Sequence, residues 1–440
     1  MKTRLQPKTP LRGVVTLPGD KSISHRAALF AALAEGTSRF ENFLVAGVTR
    51  AMLDSLAVLG IDWHLERMKL AVRGGGLRPW SDAEKRLDCG NSGTTLRTLA
   101  GALVATNTPA LLDGSPGLRR RPMGRIIKPL RQMGASIQAA QHADGLLAPL
   151  RIGKSDRLRG IEFRLPVASA QVKTALLLAA LGADAATKLT EPGPSRDHTE
   201  RMLAQMGVQI ETDTDARSVY LEPPAEPLSP LSFTIPGDFS SAAFLIVAGL
   251  ITPGSEITLR GVGLNPTRTG LLDALRAMGA QIEITPTQTQ ANEPVGDLFV
   301  AHSPDLRAIE VDGDLVVRMI DEFPIFAVAA VHARGETVVR GAEELRYKET
   351  DRIHVLVEEF HKLGIPIEER EDGFSIRGGQ SYPGVVVSAR SDHRLGMALS
   401  VLGLGAEEAV TVHGAEIINE SFPSFFAKLE TLGAKLITDD

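Results

Sequence analysis

"LLDALRAMGAQIEIT", residues 271–285, reads as an amphipathic helix stopped by Gly279 and followed by a short strand of alternating apolar and polar residues. A glycine suits the position just past a helix, where a positive φ is needed. The same pattern recurs as "MLDSLAVLGIDWHLE" (52–66), "IIKPLRQMGASIQAA" (126–140), "RMLAQMGVQIETD" (201–213), "HVLVEEFHKLGIPIEE" (354–369) and "FFAKLETLGAKLITD" (425–439). The stopping glycines are Gly60, Gly134, Gly207, Gly279, Gly364 and Gly433, at spacings of 74, 73, 72, 85 and 69 residues. The chain is therefore a sixfold repeat with one longer member.

A second, far more apolar helix recurs in the same frame: "AALFAALAEG", "LRTLAGALVATN", "VKTALLLAALGA", "AAFLIVAGLITPG", "IFAVAAVHARG" and "LGMALSVLGLGA". Helices apolar all round are buried ones. Strands such as "EITLRGV" and "TVVRGA" follow them. One unit then reads strand, buried helix, strand, surface helix, strand, with alternation fitting sheets wet on one face. Six units in 440 residues predict an α/β (α+β) chain of two pseudo-equivalent domains, each of three repeats. A solenoid fits less well, because the unit is long and contains a fully buried helix.

Composition narrows the function classes. With 43% hydrophobic and 23% charged residues, the chain is ordinary for a globular protein, and its net charge of −5 argues against non-specific nucleic-acid binding. Any basic site must be local. The single cysteine, Cys89, excludes internal disulfides and suits a reducing compartment. The segment MKTRLQPKTP lacks the apolar core of a secretory leader, and no long apolar run is available to span a membrane. The histidines show no metal-ligand spacing. A cytoplasmic, metal-free protein is the expectation.

Chemistry concentrates at the helix starts, whose unpaired N–H groups suit anions. In "GDKSISHR", Lys21 and Arg26 sit badly against the positive end of a helix dipole unless an anion lies among them. Asp20 or Ser22 as a plain N-cap is the structural alternative. Arg26 falls four residues after Ser22, on the same helix face. Gly93 in "GNSGTTLR" lets a ligand approach the backbone, whereas neighbouring Cys89 reads as a packed small residue. Pro122 would fix the approach of Arg121 in "RRRPMGR". Ser169 reads first as a cap; Gln171 has no evident structural reason to open the most apolar helix. Asp321 is the carboxylate best placed for acid–base work, although Asp321-Glu322 would also suit a helix dipole. Lys348-Glu349-Thr350-Asp351-Arg352 combines a capping signal with the charges a phosphorylated substrate and a proton transfer require. Asp392-His393-Arg394 is awkward for pure structure.

Taken together, GDKSISHR, GNSGTTLR, RRRPMGR, ASAQVKTALL, KETDR and DHR resemble the 5-enolpyruvylshikimate-3-phosphate synthase family of enolpyruvyl transferases, in order, over residues 13 to 430. The resemblance implies two inside-out α/β barrels, with residues 20–236 inserted between 1–19 and 237–440 and the active site in the cleft between domains. It implies transfer of the enolpyruvyl group of phosphoenolpyruvate to the 5-hydroxyl of shikimate 3-phosphate, in a monomer without metal or organic cofactor. Lys21, Ser22, Arg26, Ser169, Gln171, Asp321 and Lys348 then correspond to shikimate 3-phosphate contacts. Lys21, Gly93, Arg121, Gln171, Arg352 and Arg394 correspond to phosphoenolpyruvate contacts. Asp321, Glu349 and Lys21 correspond to the proton-transfer groups. Three positions depart from the family pattern: Glu344 stands where many members have Asn, Ala170 replaces a second serine, and Glu420 replaces a Lys that touches phosphoenolpyruvate.

Two other readings of the chain have weaker support. The UDP-N-acetylglucosamine enolpyruvyl transferases typically carry a reactive cysteine on a mobile loop, whereas Cys89 lies at a helix start. A non-catalytic repeat scaffold would not place Asp321 and Glu349 among cations.

Overall fold

The computed structural model describes residues 1–143 and 145–439. All six stopping glycines take a positive φ, from +70° at Gly364 to +100° at Gly433, so each surface helix ends where the sequence places its stop. The third repeat shows the unit plainly: strand Glu162–Arg164, buried helix Ala170–Ala180, strand Thr187–Thr190, surface helix His198–Gln205, then strands Ile210–Asp213 and Ser218–Leu221. The first two strands pair in parallel (Phe163 with Leu189), and the last strand pairs antiparallel with both the second and the third (Val219 with Leu189 and with Thr212). Each sheet is thus four-stranded. The additional strand returns from the third through a tight turn and inserts beside it.

The chain forms two compact units. The inserted unit comprises Gly19–Ile235 together with Gln290–Glu293, and the split unit comprises Met1–Pro18, Pro236–Thr289 and the residues from Pro294 onward. In the inserted unit the buried helix Gly93–Ala105 packs against both Lys21–Leu33 and Ala170–Ala180. In the split unit Phe239–Ile251, Phe323–His332 and His393–Gly405 pack on one another. Every residue of Phe239–Ile251 is buried. Fully buried Phe and Leu side chains contribute about 1.5–3 kcal/mol each, which is why helices without a polar face form the centre and sheets form the outside.

Strand pairing explains the insertion. Arg12–Thr16 lies parallel to Glu256–Gly263, and Lys2–Leu5 lies between Thr411–His413 and Leu436–Asp439. The split unit therefore completes two sheets with strands that precede the inserted unit. Ser232–Thr234 closes the first sheet of the inserted unit by pairing with Glu35–Glu41. Among the described residues no helix is long and apolar enough to cross a membrane.

Candidate active site

The helix starts singled out in the sequence form two charged clusters, one in each unit. In the inserted unit, Asp20 caps helix Lys21–Leu33 by accepting the Ile23 N–H at 2.9 Å. Capping thus falls to Asp20, leaving Lys21, Ser22 and Arg26 for other work. Arg26 is buried, yet its guanidinium reaches mainly neutral acceptors: Thr199 Oγ1 at 2.9 Å, Thr174 Oγ1 at 2.7 Å and the Ser22 carbonyl at 3.1 Å. Burial pulls its pKa down to about 10, against the opposing charge of Glu200. His25 is buried beside it, with Nδ1 2.7 Å from the Lys21 carbonyl. Burial, with the charges of Lys21 and Arg26, lowers the His25 pKa to about 4 despite hydrogen bonds to the Lys21 and Val48 carbonyls.

A second group shares helix Ala170–Ala180. Arg97 Nη1 donates to Gln171 Oε1 at 2.5 Å, Gln171 Nε2 donates to Thr94 Oγ1 at 2.9 Å, and Arg97 Nη2 reaches the Pro122 carbonyl at 3.2 Å. This supplies the reason for Gln171 that the sequence did not reveal. It also ties the Arg121 loop to the Gly93 helix start. A Cβ on Gly93 would stand 3.1 Å from Arg97 Nη1 and 3.2 Å from Arg121 Nη1, so glycine leaves the two guanidinium groups room. Ser169 is at the N-cap position but its side chain makes no capping bond.

Sequence reasoning missed the support behind these groups. Lys173, buried inside an apolar helix, sits 2.6 Å from both Glu191 Oε2 and Glu200 Oε1. Its pKa is raised: burial acts against the charge, but the two carboxylates outweigh it. The clamp holds the loop carrying Arg196, whose Nη1 lies 3.5 Å from Ser22 Oγ. The lysine in "VKTALLLAAL" was the available signal.

In the split unit, Asp321 lies just ahead of helix Phe323–His332. Its Oδ1 is 3.5 Å from Lys348 Nζ and 3.6 Å from Arg352 Nη1, and its Oδ2 is 3.5 Å from Arg394 Nη2. Arg394 Nη1 also donates to the Asp321 carbonyl at 3.1 Å. Glu349 Oε2 accepts from Arg352 Nη2 at 2.6 Å, and Asp392 Oδ2 accepts from Arg352 Nε at 2.7 Å. Asp392 also caps its helix through the Arg394 N–H at 2.9 Å, which fixes the start from which Arg394 extends. Burial opposes the Arg352 charge, but Asp392 and Glu349 raise its pKa overall. Desolvation pushes Asp392 up and Arg352 pulls it further down, so its pKa ends below the ordinary range. Asp351 caps helix Arg352–Lys362 at 3.1 Å, as the sequence allowed.

Glu344 and Glu420 are half-buried on short 3-10 turns, Glu343–Tyr347 and Ala415–Glu420. Cys89 is buried and its thiol pKa is raised by that burial, in keeping with a packing role. Asp197, His198 and Glu293 bring three potential metal-ligand atoms within 4.8 Å of one another from distant parts of the chain. His198 Nδ1 and Glu293 Oε1 bond at 2.7 Å, and Arg201 Nε donates to Asp197 Oδ2 at 2.9 Å, so the group ties the 290–293 turn to the surface helix.

Residues 5–429 match the sequence model described as EPSP synthase (3-phosphoshikimate 1-carboxyvinyltransferase). The chain belongs to the EPSP synthase family. It is 48% identical over 424 residues to the 3-phosphoshikimate 1-carboxyvinyltransferase of Syntrophomonas wolfei subsp. wolfei, covering 96% of this chain and 97% of that protein. The Geobacter sulfurreducens protein of the same name is 46% identical over 98% of each chain. Among solved structures, EPSP synthase from Acinetobacter baumannii aligns over 100% of both chains with a TM-score of 0.88 and 36% identity. The enolpyruvyl transferase NikO from Streptomyces tendae shares the fold, with a TM-score of 0.80 and 19% identity over 99% of this chain and 98% of that one.

Proposed function

We propose that this chain transfers the 1-carboxyvinyl group of phosphoenolpyruvate to the 5-hydroxyl of shikimate 3-phosphate and releases inorganic phosphate. The observation that carries the reading is Asp321 with three cations within 3.6 Å and Glu349 bonded to one of them. That arrangement pairs a proton acceptor and a proton donor with the charges two phosphorylated carboxylates need. Burying such anions unpaired would be very costly, and guanidinium forks match carboxylate and phosphate oxygens.

In this reading both clusters act on one substrate pair. Lys21, Ser22, Arg26, Ser169, Gln171 and Lys348 hold shikimate 3-phosphate; Lys21, Gly93, Arg121, Gln171, Arg352 and Arg394 hold phosphoenolpyruvate. Asp321 takes the proton of the 5-hydroxyl as its oxygen bonds to C2 of phosphoenolpyruvate. Glu349 delivers a proton to the methylene carbon, with Lys21 sharing in proton transfer. The product of this addition is a tetrahedral intermediate. Loss of a methyl proton and of phosphate then restores the double bond in the product. Fixed cations stabilise the charge that develops on the phosphate as it leaves. The protein acts as a cytoplasmic monomer without metal or organic cofactor. The test is phosphate release from phosphoenolpyruvate with and without shikimate 3-phosphate. Release that requires both substrates supports the reading. Release only with UDP-N-acetylglucosamine, or none with either acceptor from folded protein, rejects it.

A further inference from the structure

Glu322 is fully buried and stands at the N-cap of helix Phe323–His332, yet its carboxylate caps nothing. Its Oε1 accepts a hydrogen bond from Ser240 Oγ, and Oε2 is buried without a hydrogen-bond partner among the described residues. Ser240 in turn accepts from Arg268 Nη2 at 2.8 Å. The same Oε1 lies 3.7 Å from Arg394 Nη1 and 3.9 Å from Arg268 Nη1, while Asp238 Oδ1 lies 3.6 Å from Arg268 Nη2. Burying a carboxylate with one oxygen unbonded costs stability, which neighbouring cations offset in part. No capping bond adds to that offset here.

We propose that Glu322 is a positioning residue that anchors Arg394 for the anionic donor substrate. Arg394 has two carboxylates beside it, Asp321 and Glu322. In the proposed reaction Asp321 gains and loses a proton in each turnover, so its hold on Arg394 varies. Glu322, shielded from solvent and oriented by the Arg268–Ser240 chain, supplies an anchor that does not. Its charge stays beside Arg394 throughout, and together with the Asp321 carbonyl, which accepts from Arg394 Nη1 at 3.1 Å, it holds the guanidinium in place while the Asp321 carboxylate gains and loses its proton.

The inference rests on Arg394 holding phosphoenolpyruvate, and the test separates the two. In E322Q, the shape and the Ser240 contact persist but the charge is lost. The expected result is a rise of about tenfold in KM for phosphoenolpyruvate, equivalent to about 1.4 kcal/mol, as the Arg394 guanidinium loses its buried counter-charge at 3.7 Å. KM for shikimate 3-phosphate should stay within about twofold and kcat within about threefold. R394A is measured alongside it. If R394A leaves the phosphoenolpyruvate KM unchanged, the reading of Arg394 fails and the inference with it. If R394A raises that KM and folded E322Q does not, only the role of Glu322 is overturned. Equal changes in both KM values, with a lowered thermal midpoint, also overturn it, because a structural role would act on both substrates. Should E322Q not fold, S240A removes the hydroxyl that orients the carboxylate; a selective rise in phosphoenolpyruvate KM supports the inference, and its absence rejects it.

Discussion

Arg26, in the inserted unit, and Arg352, in the split unit, are 2% and 3% exposed, and each stands near the start of a helix. Their charges fare differently. Arg26 is oriented by two threonine hydroxyls and a carbonyl, and burial draws its pKa down to about 10. Arg352 is bonded to Asp392 and Glu349, and its pKa moves up despite equal burial. Neutral acceptors aim a guanidinium without cancelling its charge, whereas carboxylates cancel it in place. The first arrangement is suited to receiving an anion. The second also holds Glu349 and Asp321 in a fixed relation around the guanidinium that, in the proposed function, meets phosphoenolpyruvate.

The largest expected effect lies on the cancelled side. Asp321→Ala should lower kcat by about a thousandfold, the middle of the range for one acid–base group, with shikimate 3-phosphate still bound. Steady-state turnover and ligand titration measure the two separately, and near-normal turnover would remove Asp321 from the chemistry. Next, Arg352→Met strands the buried Asp392, and urea unfolding should record a loss of about 3–5 kcal/mol, as for other broken buried pairs. A loss below about 1 kcal/mol would mean that the pair is not the scaffold described.

Protons probe the other side. His25 has a folded pKa of about 4 against an unfolded value of 6.5. Between those values the unfolded chain binds a proton that the folded chain refuses. Stability should therefore fall as pH drops from 6.5 to 4, by about 3 kcal/mol in all, and level off below. Unfolding curves of the wild type and His25→Gln across that range check the sign: the variant should show the shallower slope.

Arg26→Gln is expected to cost less stability than Arg352→Met, because its charge is not cancelled by a bonded carboxylate. It should raise the shikimate 3-phosphate KM by about 10- to 100-fold, the equivalent of one charge-assisted contact. A stability loss matching that of Arg352→Met would erase the distinction between the two arginines. The smallest effect is reserved for Glu420→Lys, which restores the residue that the family pattern places there. A change in phosphoenolpyruvate KM of more than about threefold would place position 420 among the donor contacts.

The repeat was legible because glycine stops and all-apolar helices are local signals, each written within a dozen residues. The fourth strand was not, since it continues a polar hairpin past the point where alternation is clear: Ile210–Asp213 is largely exposed before Ser218–Leu221 returns. The site residues at helix starts stood out by charge against the dipole. Arg97, Lys173 and Arg196 did not, because their partners are remote: Gln171 is 74 residues from Arg97, and Ser22 is 174 from Arg196. Glu322 was visible but explained too easily by the helix dipole, because its other neighbours, Ser240 and the Arg394 guanidinium, come from distant parts of the chain.

The pairing of Lys2–Leu5 with Leu436–Asp439 has a consequence for synthesis. The inserted unit is almost continuous and can close its first sheet once Ser232–Thr234 has emerged. Lys2–Leu5 meanwhile has neither neighbour, since both Thr411–His413 and Leu436–Asp439 are translated long afterwards. On the ribosome a nearly complete unit, still lacking Gln290–Glu293, is thus carried behind an unpaired strand, whose open edge is an invitation to mispair. Loss of a few residues at the far end of the chain would leave that edge open permanently.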